Sequence, residues 1–196
     1  MSNKRLYIAY GSNLNVRQMA MRCPTAKLIG TGTVENYELQ FKGSPNSAFA
    51  TIAPKEGASV PVGVWSIQPK DERALDVYEG YPSHYYKQDV PVNMGENEVS
   101  AMVYIMNPRM SFGIPSQRYY NTVCEGYENC GLDVSVLNQA VDASIEQYRA
   151  AEQEADADLY DPNFEAEDFL DEEEYEEFEE EIDETDPFYF SDQMHM

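Results

Sequence analysis

Two stretches of this chain carry residue types that can do chemistry. The first is Tyr10-Gly11-Ser12-Asn13-Leu14-Asn15. It follows an apolar run, residues 6–10, and precedes a short helical stretch, residues 16–22, with Gln18 three positions after Asn15 in the manner of a capping box. A strand, a glycine turn and a helix start together suit an anion. The turn leaves consecutive backbone N–H groups pointing outward, and the helix end adds partial positive charge. Gly11 lets a ligand approach the backbone closely, and Ser12 and Asn13 add short polar side chains. The same residues also read simply as a turn with a helix cap.

The second stretch is centred on Glu79, at the end of a short helix and just before Gly80-Tyr81-Pro82. A carboxylate at a helix C-terminus faces the negative end of the dipole, which disfavours its charged form. Tyr78, Tyr81, Tyr85 and Tyr86 surround it in sequence and push the same way. A raised pKa suits a group that shuttles protons at neutral pH. Taken alone, Glu79 reads equally as a surface residue at a helix end. No Ser-His-Asp set and no Cys-His pair accompanies it. The two histidines, His84 and His195, are too far apart in sequence to suggest a metal site, so neither metal nor cofactor is expected.

The elements that must position these residues are short. Residues 4–9 read as a first strand, 27–32 as a second, and Tyr37, Leu39 and Phe41 alternate in a third. Gly43-Ser44-Pro45-Asn46 reads as a turn, residues 49–53 as a strand, and Val60, Val62 and Val64 as the next. Residues 69–78 break the pattern as a helix, with Pro69 at its start, Asp71 and Glu72 in its first turn and Gly80 as its cap. Residues 86–92 and 99–106 flank a hairpin turn at Asn93-Met94-Gly95. Two helices follow, over 115–129 and 133–151, the second with an apolar stripe through Val136, Leu137, Ala140, Val141, Ile145 and Tyr148. Short strands at close intervals with few helices predict an α+β fold with a curved or closed antiparallel sheet and flanking helices.

Charge divides the chain in two. Its net charge is −23, yet residues 151–196 hold 21 of the 36 acidic residues and none of the 13 basic ones. Residues 1–150 are therefore close to neutral and read as one globular domain. Residues 151–196 read as an acidic, aromatic-containing, low-complexity tail, either a solvated disordered extension or an interaction segment. In the second reading Tyr175, Phe178 and Ile182 share one face of a helix that a basic protein partner orders. No basic patch is evident, so nucleic acid is not an expected partner. The three cysteines, Cys23, Cys124 and Cys130, have no CxxC or zinc spacing. With no long apolar segment and no signal peptide, the expected place is the reduced cytoplasm, away from membranes.

The motif at 10–14 resembles the signature of the gamma-glutamylcyclotransferase family. So does the placement of Glu79-Gly80 after a short helix and a set of strands. A third similarity lies in Pro115-Ser116, Tyr119, Cys124, Gly126 and Gly131-Leu132, and the resemblance covers about residues 4–150. It implies that residues 1–150 are a catalytic domain with a small α+β fold around a curved, barrel-like mixed sheet, a cyclotransferase that converts a γ-glutamyl amine, amino acid or isopeptide to 5-oxoproline and releases the free amine. Glu79 is then the catalytic acid–base. Ile8, Ala9, Tyr10, Gly11, Ser12, Asn13 and Leu14 form the substrate loop, and Tyr86, Tyr104 and Tyr119 line the pocket. Tyr104 and Tyr119 read equally as core residues with satisfied hydroxyls. Asn13 after Ser12 departs from the glutathione-cleaving branch. The alternative is a non-catalytic binding module of the same fold, whose acidic tail recruits a basic protein.

Overall fold

The computed structural model describes residues 4–159. Five strands close into a barrel in the order β1-β3-β2-β4-β5. They are β1 (Arg5–Ala9), β2 (Lys27–Ser44), β3 (Ser47–Ile67), β4 (Tyr85–Asn93) and β5 (Glu98–Met106). β1 runs antiparallel to β3 over its whole length and parallel to β5 at Tyr7↔Met102, so the sheet is mixed, as the resemblance implies, and not wholly antiparallel as the strand pattern suggests. The helices are α1 (Val16–Arg22), α2 (Pro69–Glu79), α3 (Gln117–Cys130) and α4 (Val134–Leu159).

The four short strands expected over 27–64 are two long ones. β2 and β3 form a single hairpin whose ladder runs from Lys27↔Ser66 to Ser44↔Ser47. The expected strands leave gaps before Tyr37 and between Ala53 and Val60, stretches that hold Asn36, Pro54 and Gly57, residue types that often punctuate strands. Here they form a bulge between Glu35 and Tyr37, with Asn36 at φ 60° and its side chain accepting from the Gly57 N–H at 3.0 Å. A bulge bends a strand without ending it, and such bends help a sheet curl into a barrel.

Helix ends follow local chemistry. Asn15 caps α1 by accepting from the Gln18 N–H at 3.1 Å. α2 begins with Pro69 and a capping box between Gln68 and Asp71. Asp71 is buried and also accepts from Thr25 Oγ1 at 2.6 Å, which ties the start of α2 to the link between α1 and β2. The far end of α2 is stopped by Gly80 in the left-handed region, φ 63°. Ion pairs hold α2 across the barrel wall. Glu72 meets Arg5 of β1 and Lys87 of β4, and Lys87 also meets Asp76 at 2.7 Å.

The core fills the barrel with Ile8, Val34, Phe41, Ile52, Val62, Val64, Val92 and Val103, all fully buried. β5 is buried along both faces from Ala101 to Met106, since helices cover the barrel outside. α4 buries Leu137, Ala140 and Ser144, and Ser144 Oγ accepts from the Phe41 N–H at 2.9 Å. α4 runs past Ala151 to Leu159. The rest of the expected acidic tail, including Tyr175, Phe178 and Ile182, lies outside the described residues.

Candidate active site

The residues at 10–15 fold as a tight 3-10 turn, Ser12–Leu14, between β1 and α1. Its bonds are short-range: Leu14 N–H to Gly11 O at 2.9 Å and Asn15 N–H to Ser12 O at 3.1 Å. α3 braces the turn from behind. Gly126 is where they cross, because a Cβ there would lie 2.6 Å from Leu14 Cβ and 2.7 Å from the Asn15 nitrogen. Asn129 Oδ1 also accepts from the Val16 N–H at 3.1 Å. The downstream motif at 115–132 thus supports the loop through packing.

Glu79, at the last residue of α2, meets this loop across a small cavity. Asn13 Nδ2 donates to Glu79 Oε1 at 2.8 Å and also to Tyr7 Oη at 2.8 Å. The Arg22 guanidinium donates to Asn13 Oδ1 and lies over the Tyr78 ring, 3.3 Å from its centroid. A donor on Oδ1 leaves the Asn13 amide only one sensible orientation, with its NH2 towards Glu79. Burial raises the Glu79 carboxyl from 4.5 to about 7; Arg22 and then Asn13 pull it partly back. A carboxyl at that value can take up and return a proton near neutral pH.

The remaining walls are tyrosines and backbone. Tyr10 Oη donates to Tyr104 O at 2.6 Å, and Tyr85 Oη donates to Ala50 O at 3.0 Å. Tyr119 Oη accepts from the Ala50 N–H at 3.2 Å, so its own proton is free to point inward. Gly11 allows this arrangement: a Cβ would lie 3.1 Å from Tyr119 Oη and 3.2 Å from Ala50 Cβ. Burial, above all, holds the Tyr7, Tyr10, Tyr85 and Tyr119 hydroxyls well above their ordinary pKa, so they act as neutral hydrogen-bonding groups. The enclosed space is about 30 Å³, room for a small polar group or a water or two.

The expected site residues separate into three groups. Ile8, Tyr10, Gly11, Ser12, Asn13, Glu79, Tyr104 and Tyr119 line this cavity together. Ala9 and Leu14 are buried behind it. Tyr86 is 39% exposed and lines no part of it; its neighbour Tyr85 does. Successive strand residues point to opposite faces, so a displacement of one position exchanges wall for solvent. Tyr104 offers its ring, while its hydroxyl donates to Asp76 Oδ1 at 2.6 Å. Tyr7, Arg22 and Ala50 were not anticipated, and Tyr85 only as a sequence neighbour of Glu79. Tyr7 had one signal, a tyrosine inside an apolar strand whose hydroxyl needs a partner.

Fold and site together define a barrel whose cavity sets one half-buried carboxylate against a glycine-turn loop. The chain belongs to the family described as gamma-glutamyl cyclotransferase, AIG2-like, which it matches over residues 7–122. Curated gamma-glutamylcyclotransferases are similar to it. The one from Homo sapiens is 30% identical over 136 residues, covering 65% of this chain and 72% of the human one. The one from Bos taurus is 31% identical over 137 residues, with the same shares. A solved structure titled gamma-glutamyl cyclotransferase superposes with a TM-score of 0.64 at 25% identity, covering 70% of this chain and 86% of that one.

Among the described residues, no group of three or more His, Cys, Asp or Glu is placed to hold a metal ion. No described helix is long and apolar enough to cross a membrane.

Proposed function

We propose that this chain is a cyclotransferase acting on a γ-glutamyl amine, amino acid or isopeptide, with Glu79 as the proton shuttle. The observation that carries this reading is the Asn13–Glu79 contact inside a cavity made by the glycine-turn loop. The nucleophile is the substrate's own α-amine. Glu79 takes one proton from the α-ammonium, and the freed nitrogen attacks the γ-carbonyl carbon. A five-membered lactam bond forms, and the bond to the leaving nitrogen breaks as Glu79 returns its proton there. The ring nitrogen keeps one of its three original hydrogens. The other two end on the released amine, which leaves as an ammonium ion at neutral pH. No water is consumed.

Because attack is intramolecular, the site's main task is to fold the substrate into reach. The N–H groups around residues 11–13 hold the substrate carboxylate or the developing oxyanion, and the Tyr7 and Tyr119 hydroxyls, which accept from Asn13 and from the Ala50 N–H, turn their own protons to the substrate as neutral donors. Free thiols at Cys23, Cys124 and Cys130 accord with a reduced cytoplasmic setting.

The test is 5-oxoproline release from a panel of γ-glutamyl compounds, with wild type beside Glu79→Gln. This swap keeps the shape and the hydrogen bond from Asn13. Turnover by wild type and a loss of about a hundredfold or more in the variant is the expected result. Equal turnover in both would remove Glu79 from the mechanism.

A further inference from the structure

The inner cavity is too small for a whole substrate, and a second space adjoins it. A surface groove of about 350 Å³ shares Ser12, Glu79, Tyr85 and Tyr119 with the cavity. Its other walls are Phe49, Val77 and Tyr78, with His84 and Gly80. Phe49 stacks edge-on against Tyr119, with ring centroids 5.0 Å apart, and remains 46% exposed. Val77 is 84% exposed and Tyr78 is 46% exposed. Apolar side chains this open cost solubility and ordinarily have something to cover.

Continuity with the cavity decides what that is. If the α-carboxylate of the γ-glutamyl group enters the cavity, the scissile bond reaches Glu79 at its mouth, and the groove receives what lies beyond that bond. No lysine or arginine lines the groove. Arg22 packs on Tyr78, but its Nη1 and Nη2 donate to Asn13 and to Gln18. Glu79, once ionised, repels a second carboxylate brought close to it. His84 is the one wall residue with a basic side chain.

We infer that the groove formed by Phe49, Val77 and Tyr78 is the leaving-group subsite, selecting an apolar, arylalkyl-type amine that carries no carboxylate. The inference rests on the cyclotransferase reading above and narrows its substrate class. An aryl ring beyond the scissile nitrogen would lie against Phe49 and Tyr78. A free amino acid in the same place would bring its carboxylate into a wall with no counter-charge.

Three substrates at pH 8 separate the contributions: the γ-glutamyl amides of phenethylamine, of phenylalanine and of methylamine. The first two differ only by a carboxylate, the first and third only by the arylalkyl group. The phenethylamide is expected to exceed each of the others roughly tenfold in kcat/KM. Val77→Lys places a cation on an exposed position of the wall. It should narrow the gap between the phenethylamide and the phenylalanine derivative at least severalfold. The ratio of two substrates in one variant cancels any effect of the new lysine on Glu79. Equal or better turnover of the phenylalanine derivative, or of the methylamide, overturns the subsite while leaving the cyclotransferase intact. If none of the three is turned over, calorimetric binding to Glu79→Gln decides. Tighter binding of the phenethylamide than of the phenylalanine derivative supports the subsite without the chemistry, and equal or reversed affinity overturns it.

Discussion

Glu79 is a strained ionisation, and that strain is measurable without any substrate. Its carboxyl titrates near 7 in the folded protein against an ordinary 4.5. Between those two values the native state keeps a proton that the unfolded chain has already lost. Stability therefore falls as pH rises through that window, and is level below and above it. At 1.36 kcal/mol per pH unit the whole cost is roughly 3 kcal/mol. Glu79→Gln removes the titration and keeps an oxygen for Asn13. Urea unfolding of both proteins at pH 4, 5.5, 7 and 8.5 reads the difference directly, because every other titrating group cancels between them. The two should be nearly equal at pH 4. At pH 8.5 the variant should be more stable by about 2–3 kcal/mol, a midpoint shift on the order of 1–2 M urea. Parallel stability curves across the four pH values would refute the claim that burial raises this carboxyl, and with it the physical basis for a neutral-pH shuttle.

Arg22→Met removes the cation that pulls Glu79 down, so the acid limb of the activity profile should move to higher pH by about one unit; an unmoved limb would mean that Arg22 does not act through Glu79. Gly126→Ala forces a Cβ to 2.6 Å from Leu14 Cβ, so a thermal melt should show a loss of about 1–3 kcal/mol, and an unchanged melting temperature would mean that α3 does not brace the loop. Tyr85→Phe deletes the hydroxyl that donates to Ala50 O and should cost roughly 1 kcal/mol in stability along with slower turnover, whereas Tyr86→Phe should leave both within about twofold. Equal effects at these two positions would contradict the strand parity.

What was legible in the sequence was local. Asn15, Pro69, Gly80, Ser116 and Gly131 mark helix ends by chemistry within one turn, and the structure uses them; the capping box expected of Asn15 and Gln18 is only half formed, because the Gln18 side chain accepts from Arg22 instead. A curved or closed sheet was legible in the short strands. Its parallel seam was not, because the contact Tyr7↔Met102 joins positions 95 residues apart and leaves no mark on either strand. The bulge at Asn36 looked like a break because both need the same residue types. Tyr85 and Tyr86 could not be ordered by composition, since the choice depends on where β4 starts. Glu79 shows the same limit at the site itself. Its helix-end position was readable from Pro69, Gly80 and Pro82. Its hydrogen-bond partner lies 66 residues away, and the cation that tempers it comes from the last turn of α1. A dipole argument from neighbouring sequence gives the direction of its shift. The value near 7 comes instead from burial against the loop, so the chemistry of this residue exists only once the barrel has closed.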